Sequence, residues 1–214
     1  MNFWSKKFNK DKSNFIVINN LKFNTNIETL DLSDVRNITD IKFLENFNNL
    51  RVLKLFLLKT HDLSVLCQLK QLEVLVIVAS NLDDLKQFSN MTNLRKLMLA
   101  VNKICDIKPL EKLTKIEYLD IRGNRIYDID VISKFTQLTR LNLSMNYKLE
   151  DIQPLKKLKF LSDLNLEHTA VNDFSPLYEM ASLKKLTVRN DFPVDLKETL
   201  IKKLPNCDIS FDGD

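Results

Sequence analysis

Leucine residues recur along this chain at a nearly constant spacing and divide it into turns of one repeating pattern. Successive anchors stand 22 or 23 residues apart, and apolar residues follow each anchor at offsets 2, 10, 13, 16 and 19. In the two longer turns, one extra residue stands after offset 5. All 42 of these positions in seven turns are apolar, so we predict that they are buried. The anchors are Leu30, Leu53, Leu75, Leu97, Leu119, Leu141 and Leu164, followed by Leu186.

Each turn divides into two halves with different periodicity. Around the anchor, apolar and polar residues alternate, which predicts a short strand with one face turned inward. From offset 10 to offset 19, every third residue is apolar, a spacing typical of a 3₁₀ turn or a tight extended segment. Because one turn cannot bury its apolar side alone, the turns must stack and share a core. The pattern therefore predicts an α/β solenoid with a parallel β-sheet on one side.

The segment from Leu97 to Leu119, LMLAVNKICDIKPLEKLTKIEYL, resembles the leucine-rich repeat L-x-L-x-x-N-x-I-x-D-I-x-P-L-x-x-L-x-x-L. Its 22-residue period is similar to that of the bacterial internalins and of the phosphatase-regulating leucine-rich-repeat proteins. The resemblance covers about residues 27–211. It implies a curved right-handed solenoid with the β-sheet on the concave side, short 3₁₀ or extended segments on the convex side, and partners on the concave face. The resemblance does not identify a partner, because one fold hosts many functions.

The two ends of the chain predict caps, since a solenoid must cover its open core at both ends. We assign residues 1–26 to an N-terminal cap, 27–185 to seven leucine-rich repeats and 186–214 to a C-terminal cap. In the C-terminal cap we predict a helix at about 194–204 and a last strand at about 207–211. Residues 1–26 mix Phe3, Trp4 and Phe8 with five lysines and one aspartate. The alternative for this segment is therefore a basic tail that contacts an anionic membrane surface.

Composition and charge exclude several kinds of site. With only two glycines, the chain cannot contain G-x-G-x-x-G or the phosphate-binding loop G-x-x-x-x-G-K-[ST]. Its three cysteines and two histidines form no C-x-x-C or H-E-x-x-H motif, so we predict no disulfide, metal or cofactor. The formal net charge of +4 equals that of residues 1–26 alone, so we expect no nucleic-acid surface.

The sequence shows no secretory signal and no apolar stretch of 18 residues. We therefore predict a cytoplasmic protein without membrane insertion, although specialised secretion that needs no such signal is compatible with this sequence.

One aspartate in every turn stands just before the apolar residue at offset 10. A carboxylate there can accept a hydrogen bond from a backbone N–H, whereas calcium needs six to eight oxygens around one point. We therefore predict a structural role for this column. His168 beside Glu167 is the remaining candidate for acid–base chemistry, but no nucleophile accompanies it, so we assign no catalytic residue. The aspartates are Asp40, Asp62, Asp84, Asp106, Asp128, Asp151 and Asp173.

The strand residues that do not face the core carry the main functional signal. They are mostly apolar in the second, third and fourth turns and mostly polar in the others. Neighbouring strands lie about 5 Å apart, so these residues predict one exposed apolar patch on the concave sheet, with Phe56 and Met98 as anchors. The predicted members are Val52, Phe56, Leu57, Val74, Val76, Val78, Met98, Ala100 and Val101, with Tyr118, Asp120, Arg122 and Arg140 as a polar rim.

These observations favour a non-enzymatic protein–protein interaction module. Within that class, one hypothesis is an intracellular adaptor or inhibitor that grips a protein on the concave face, and another is an exported, internalin-like protein that interacts with a host. An enzyme, or a subunit associated with one, is disfavoured because catalytic motifs are absent. For the apolar patch we prefer a protein partner to a homodimer and to cover by the N-terminal segment.

Overall fold

The computed structural model describes residues 14–211, so Phe3, Trp4 and Phe8 of the predicted N-terminal cap lie outside the described residues. Within this range the chain folds into short strands, short 3₁₀ helices and one α-helix, α1 (Val194–Lys203). The strands are β1 (Phe15–Ile18), β2 (Leu21–Asn24), β3 (Thr29–Leu32), β4 (Val52–Phe56), β5 (Val74–Val78), β6 (Lys96–Met98), β7 (Tyr118–Asp120), β8 (Arg140–Asn142), β9 (Asp163–Asn165), β10 (Lys185–Val188) and β11 (Asp208–Phe211). The 3₁₀ helices are Lys42–Asn46, Ser64–Gln68, Lys86–Phe88, Lys108–Leu110, Asp130–Lys134, Gln153–Lys157 and Ser175–Leu177.

Strands β3 to β11 form one parallel sheet in which the spatial order follows the order along the chain. Each anchor leucine lies opposite the next one, so that Leu53 of β4 faces Leu30 of β3 and Leu75 of β5. Because the period is nearly constant, residues of equal offset form columns that run across the strands. The sheet and the intervening 3₁₀ helices confirm the predicted leucine-rich-repeat solenoid.

The core lies between the sheet and the 3₁₀ helices. Of the 42 positions predicted to be buried, 41 are buried, and the exception is Met180, which is partly buried but packs against the core. Met180 belongs to the seventh turn, and α1 rather than another 3₁₀ helix follows it. Every second turn places one fully buried phenylalanine in the core. These phenylalanines are Phe47, Phe88, Phe135 and Phe174.

The segments beside the solenoid pack against its two ends. Strands β1 and β2 form an antiparallel hairpin, and Asn19 and Asn20 at its tip have φ of 46° and 66°, as a type I′ turn requires. The hairpin buries Ile18 against the core. At the other end, α1 buries Leu200, and the neighbouring Leu204 is also buried. The division of the chain into caps and repeats stays a prediction.

Buried asparagines at offset 5 connect neighbouring turns. The Asn124 amide donates to the carbonyls of Leu99 and Ile121 at 3.0 and 2.9 Å, and its oxygen accepts the N–H of Ile104 at 3.1 Å. Each such side chain satisfies backbone groups that the core would otherwise leave unpaired. Asn102 and Asn146 make equivalent bonds.

The aspartate column has the predicted structural role. Each of the seven carboxylates accepts the backbone N–H of the residue two positions later, at 2.7 to 3.1 Å, where the 3₁₀ segment begins. Hydrogen bonds from Ser64 and Ser175 also lower the pKa of Asp62 and Asp173, respectively. Among residues 14–211, no group of three or more His, Cys, Asp or Glu side chains is placed to hold a metal ion.

Candidate functional site

The solvent-facing side of the nine-stranded sheet, which is the concave face of the solenoid, displays the side chains next to the core positions. Strand alternation turns offsets 0 and 2 inward and offsets −1, 1 and 3 outward. The register places Val52 beside Val74 and Phe56 beside Val78 on β4 and β5. These four side chains and Met98 of β6 are half-buried. We call Val52, Phe56, Val74, Val78 and Met98 the apolar patch.

Three residues predicted to lie exposed on this face are instead buried. The exposed fractions are 4% for Val76, 1% for Ala100 and 1% for Asp120. The register explains this burial for two of them, because Val76 lies between the longer Lys54 and Met98 on the adjacent strands, and Asp120 lies beside Met98. A short side chain in such a column is covered by its neighbours. The sequence prediction for these three residues is therefore wrong about exposure.

Leu57 and Val101, at offset 4, are exposed but do not continue the strand alternation. Their φ values are 53° and 56°, in the left-handed region. Gly123 is at the same offset and has φ of 63°. This conformation turns the chain away from the sheet, so offset 4 marks the carboxyl edge of the concave face. The left-handed backbone costs a non-glycine residue about 1–2 kcal/mol.

The rim residues Tyr118, Asp120 and Arg122 interact electrostatically. Burial raises the pKa of Asp120, although the backbone N–H of Arg122 donates to its carboxylate at 3.2 Å and the guanidinium lies 3.7 Å away. Burial, and secondly the charge of Asp120, also raises the pKa of Tyr118. The Tyr118 phenol is therefore protonated at neutral pH and can donate a hydrogen bond. Arg122 and the fourth rim residue, Arg140, are exposed.

A depression of about 200 Å³, lined by side chains of β7 to β10, lies next to the apolar patch. Sequence reasoning selected Tyr118 and Arg140 of its lining but missed the others. The signal was present, because offset 1 carries a short polar residue on three successive strands, while Tyr118, Arg140 and Lys185 stand at offset −1. The missed lining residues on the concave face are Asn142, Asp163, Asn165, Lys185 and Thr187.

Elsewhere the structure offers little for catalysis. His168 Nε2 lies 3.5 Å from Glu167 Oε1, beside an open cavity of about 470 Å³. The Thr169 hydroxyl in that cavity donates to the Leu166 carbonyl at 2.7 Å, so it is held by a structural bond. Burial raises the pKa of the Cys207 thiol to about 11, which disfavours the reactive thiolate. None of these groups forms a nucleophile–base pair within residues 14–211.

Comparisons with known proteins fit this architecture. Residues 114–157 match a family model for two copies of the leucine-rich repeat. The chain is a leucine-rich-repeat protein. Its repeats resemble those of the internalins, and the structure of internalin C2 from Listeria monocytogenes superposes with a TM-score of 0.64 at 26% identity, covering 76% of this chain and 80% of that one.

Two other solved structures share the leucine-rich-repeat fold. A protein from Leptospira interrogans superposes with a TM-score of 0.78 at 24% identity, covering 86% of this chain and 49% of that one. The Arabidopsis receptor kinase HAESA, in complex with the peptide hormone IDA and the co-receptor SERK1, superposes with a TM-score of 0.66 at 22% identity, covering 76% of this chain and 30% of that one. No curated protein sequence gives a significant match.

The leucine-rich-repeat fold and its structural neighbours support a protein–protein interaction module. Leucine-rich-repeat proteins are in general interaction scaffolds without enzymatic activity. In the part of the chain that the structure describes, no helix has the length and apolar character needed to cross a membrane.

Proposed function

We propose that this leucine-rich-repeat protein is a non-enzymatic binding module that holds a protein partner on its concave face. The observation that carries the proposal is the apolar patch. Five apolar side chains on three adjacent strands are partly open to solvent there, although the core needs none of them. Apolar side chains that adjoin one another on the surface of a soluble protein usually mark a contact with another molecule.

The length of the concave face supports a protein partner rather than a small molecule. A concave sheet of nine strands, spaced about 4.8 Å apart, presents a surface nearly 40 Å long. The apolar patch and the polar rim lie side by side on it, as in protein interfaces with an apolar centre and a polar edge. The HAESA structure, which contains a peptide hormone and a co-receptor, is consistent with a binding role for the fold.

The test is the double variant Phe56→Ser, Met98→Ser, compared with the single variant Phe160→Ser. Phe160 lies in the turn before β9 and is 57% exposed, so its replacement removes apolar surface outside the concave face. A photo-crosslinking residue at Val78 captures the partner from the native host's lysate, and mass spectrometry quantifies the adduct. We expect the double variant to lose at least tenfold of the adduct, because buried aromatic and apolar anchors dominate interface energies. Phe160→Ser should retain it.

Two outcomes would contradict the proposal. One is an adduct of equal yield with the double variant whose circular dichroism spectrum and melting temperature match the wild type. The other is an adduct that consists of two copies of this chain and accompanies a dimer in size-exclusion chromatography with light scattering. The second outcome assigns the apolar patch to self-association.

A further inference from the structure

We propose that the depression next to the apolar patch binds a carboxylate side chain of the protein partner. This inference rests on the proposed function and adds the chemistry of the partner, which is an acidic residue close to an apolar segment. The depression is formed by side chains of β7 to β10, and we call the paired residues Asn142 and Asn165 its floor.

The floor presents two amide NH₂ groups. Asn142 and Asn165 are partners in the register of β8 and β9, so their side chains are neighbours. The backbone N–H of Ser144 donates to Asn142 Oδ1 at 3.0 Å, and that of Glu167 donates to Asn165 Oδ1 at 2.9 Å. Because a donor can bond only to the oxygen, these bonds fix each amide and leave its NH₂ group as the free end. Neither NH₂ group has an acceptor among residues 14–211.

The walls add further donors. Lys185 makes no ion pair with the described part of the chain, whereas Lys54 on the same face lies 2.8 Å from Asp31. Arg140 Nε is 3.9 Å from Asp163 Oδ2, beyond hydrogen-bond distance, so the guanidinium keeps its donors. The hydroxyl groups of Tyr118 and Thr187 also line the depression.

Charge favours an anionic ligand over a neutral carbonyl group. The lining carries two cations, Arg140 and Lys185, and one carboxylate, Asp163, which also bonds to the Ser162 hydroxyl. The remaining polar lining groups can all act as donors. Hydrogen bonds from such donors to an ionised carboxylate are roughly twice as strong as those to a neutral acceptor. An acidic side chain therefore forms stronger hydrogen bonds with the donors of this depression than an uncharged side chain does.

The register also sets the spacing within the partner. Met98 of the apolar patch, Asp120 and Asn142 are successive partners on β6, β7 and β8. The step from the apolar patch to the floor is therefore about 10 Å, or two strand spacings. An extended peptide advances about 3.3 Å per residue. We therefore expect the acidic residue about three to five positions from the apolar residues of the partner segment.

A random peptide display library selected on the purified full-length protein tests this inference. We expect enriched peptides to carry Asp or Glu at that distance from an apolar cluster. One synthetic peptide from the selection then serves as the probe for titration calorimetry. Asn165→Asp, in which the carboxylate can still accept the Glu167 N–H as Asp120 accepts that of Arg122, should weaken binding at least tenfold. The same chemical change at the exposed Asn90 should leave the affinity unchanged.

A matched change in the probe separates this inference from the proposed function. Replacing the acidic residue of the peptide by its amide should weaken binding to the wild type at least tenfold and restore binding to Asn165→Asp. Peptides that depend on Phe56 and Met98 but show no acidic preference, or that bind Asn165→Asp as tightly as the wild type, would overturn the inference and leave the proposed function standing. The inference would also be overturned if no peptide were selected, or if the selected peptides bound equally well after substitution of Phe56, Met98 or Asn165. The crosslinking experiment would then be the test of the proposed function.

Discussion

At the scale of single residues, Asp120 is the unusual member of its column. It stands at the same offset as Asn142 and Asn165, and it accepts the same hydrogen bond from the backbone two residues later. Unlike them, it buries a carboxylate, which is 1% exposed. Burial raises its pKa, because a low-dielectric surrounding disfavours the ionised form more than Arg122 stabilises it. The folded state therefore prefers a neutral side chain at this position.

Asp120→Asn should accordingly stabilise the protein in a pH-dependent way. The pKa of Asp120 is raised on folding, so its ionisation reduces stability as the pH rises from the ordinary aspartate pKa through the folded-state pKa. We expect little difference in melting temperature between variant and wild type near pH 3 and a growing advantage of the variant towards pH 7. A difference of the same size at every pH would show that the charge of Asp120 is not the cause.

Asp31→Asn is a control of opposite sign for the same measurement. Although burial opposes ionisation of Asp31, hydrogen bonds from Lys54 and Ser33 outweigh it and lower its pKa to about 2. The contribution of this carboxylate is therefore present above pH 3.8 and is lost as the pH falls towards 2. Asp31→Asn should lose stability at neutral pH and approach the wild type in acid.

The residue scale is also where sequence prediction of the site was weakest. Alternation correctly placed Val52, Phe56, Val74, Val78 and Met98 on the solvent side of the sheet. Alternation carries no information on how far the neighbouring side chains in a column cover a shorter one, which is why the burial of Val76 and Asp120 was missed. The NH₂ groups of Asn142 and Asn165 are free because each amide oxygen accepts a backbone N–H. Only the structure shows these two hydrogen bonds.

At the scale of the repeat element, polar groups inside the core determine how one turn joins the next. Asn124 bonds to backbone groups of its own turn and of the preceding turn. Ser80 replaces asparagine two turns earlier, where its hydroxyl accepts the N–H of Leu58 at 3.1 Å and donates to the Val78 carbonyl at 3.0 Å. A hydroxyl thus fulfils part of the same role with fewer bonds.

Asn124→Ala should destabilise the protein by about 2 kcal/mol, because it leaves the buried Ile104 N–H without a partner. The carbonyls of Leu99 and Ile121 each keep a second asparagine amide as a donor. Urea denaturation followed by circular dichroism measures the loss. Asn90→Ala on the surface should stay within about 0.5 kcal/mol of the wild type. If Asn124→Ala unfolds at the same urea concentration as Asn90→Ala, the ladder does not connect the turns.

At the scale of the whole molecule, the period of the sequence predicts nearly all of the architecture. A spacing of 22 or 23 residues aligns Leu30, Leu53 and the later anchors in register, and each aligned turn then buries its apolar residues against the next. Only Met180 departs from the predicted core, at the end of the stack. The fold was predictable because identical contacts repeat between neighbours, whereas the interaction surface consists of the positions that this repetition leaves free.

A solenoid held together by neighbour contacts should tolerate the loss of one complete period. Deleting residues 119–140 joins Tyr118 to Leu141 and brings Asn102 into the turn next to Asn146, so the column of anchors and the asparagine ladder both continue. We expect a soluble protein that unfolds cooperatively, with a urea m-value lower by about a tenth because less surface is exposed on unfolding. Deleting only residues 119–129 shifts every later offset by half a period, places polar residues at core positions and should abolish cooperative unfolding. Equal behaviour of the two deletions would mean that the stacking register of the repeats does not determine the fold.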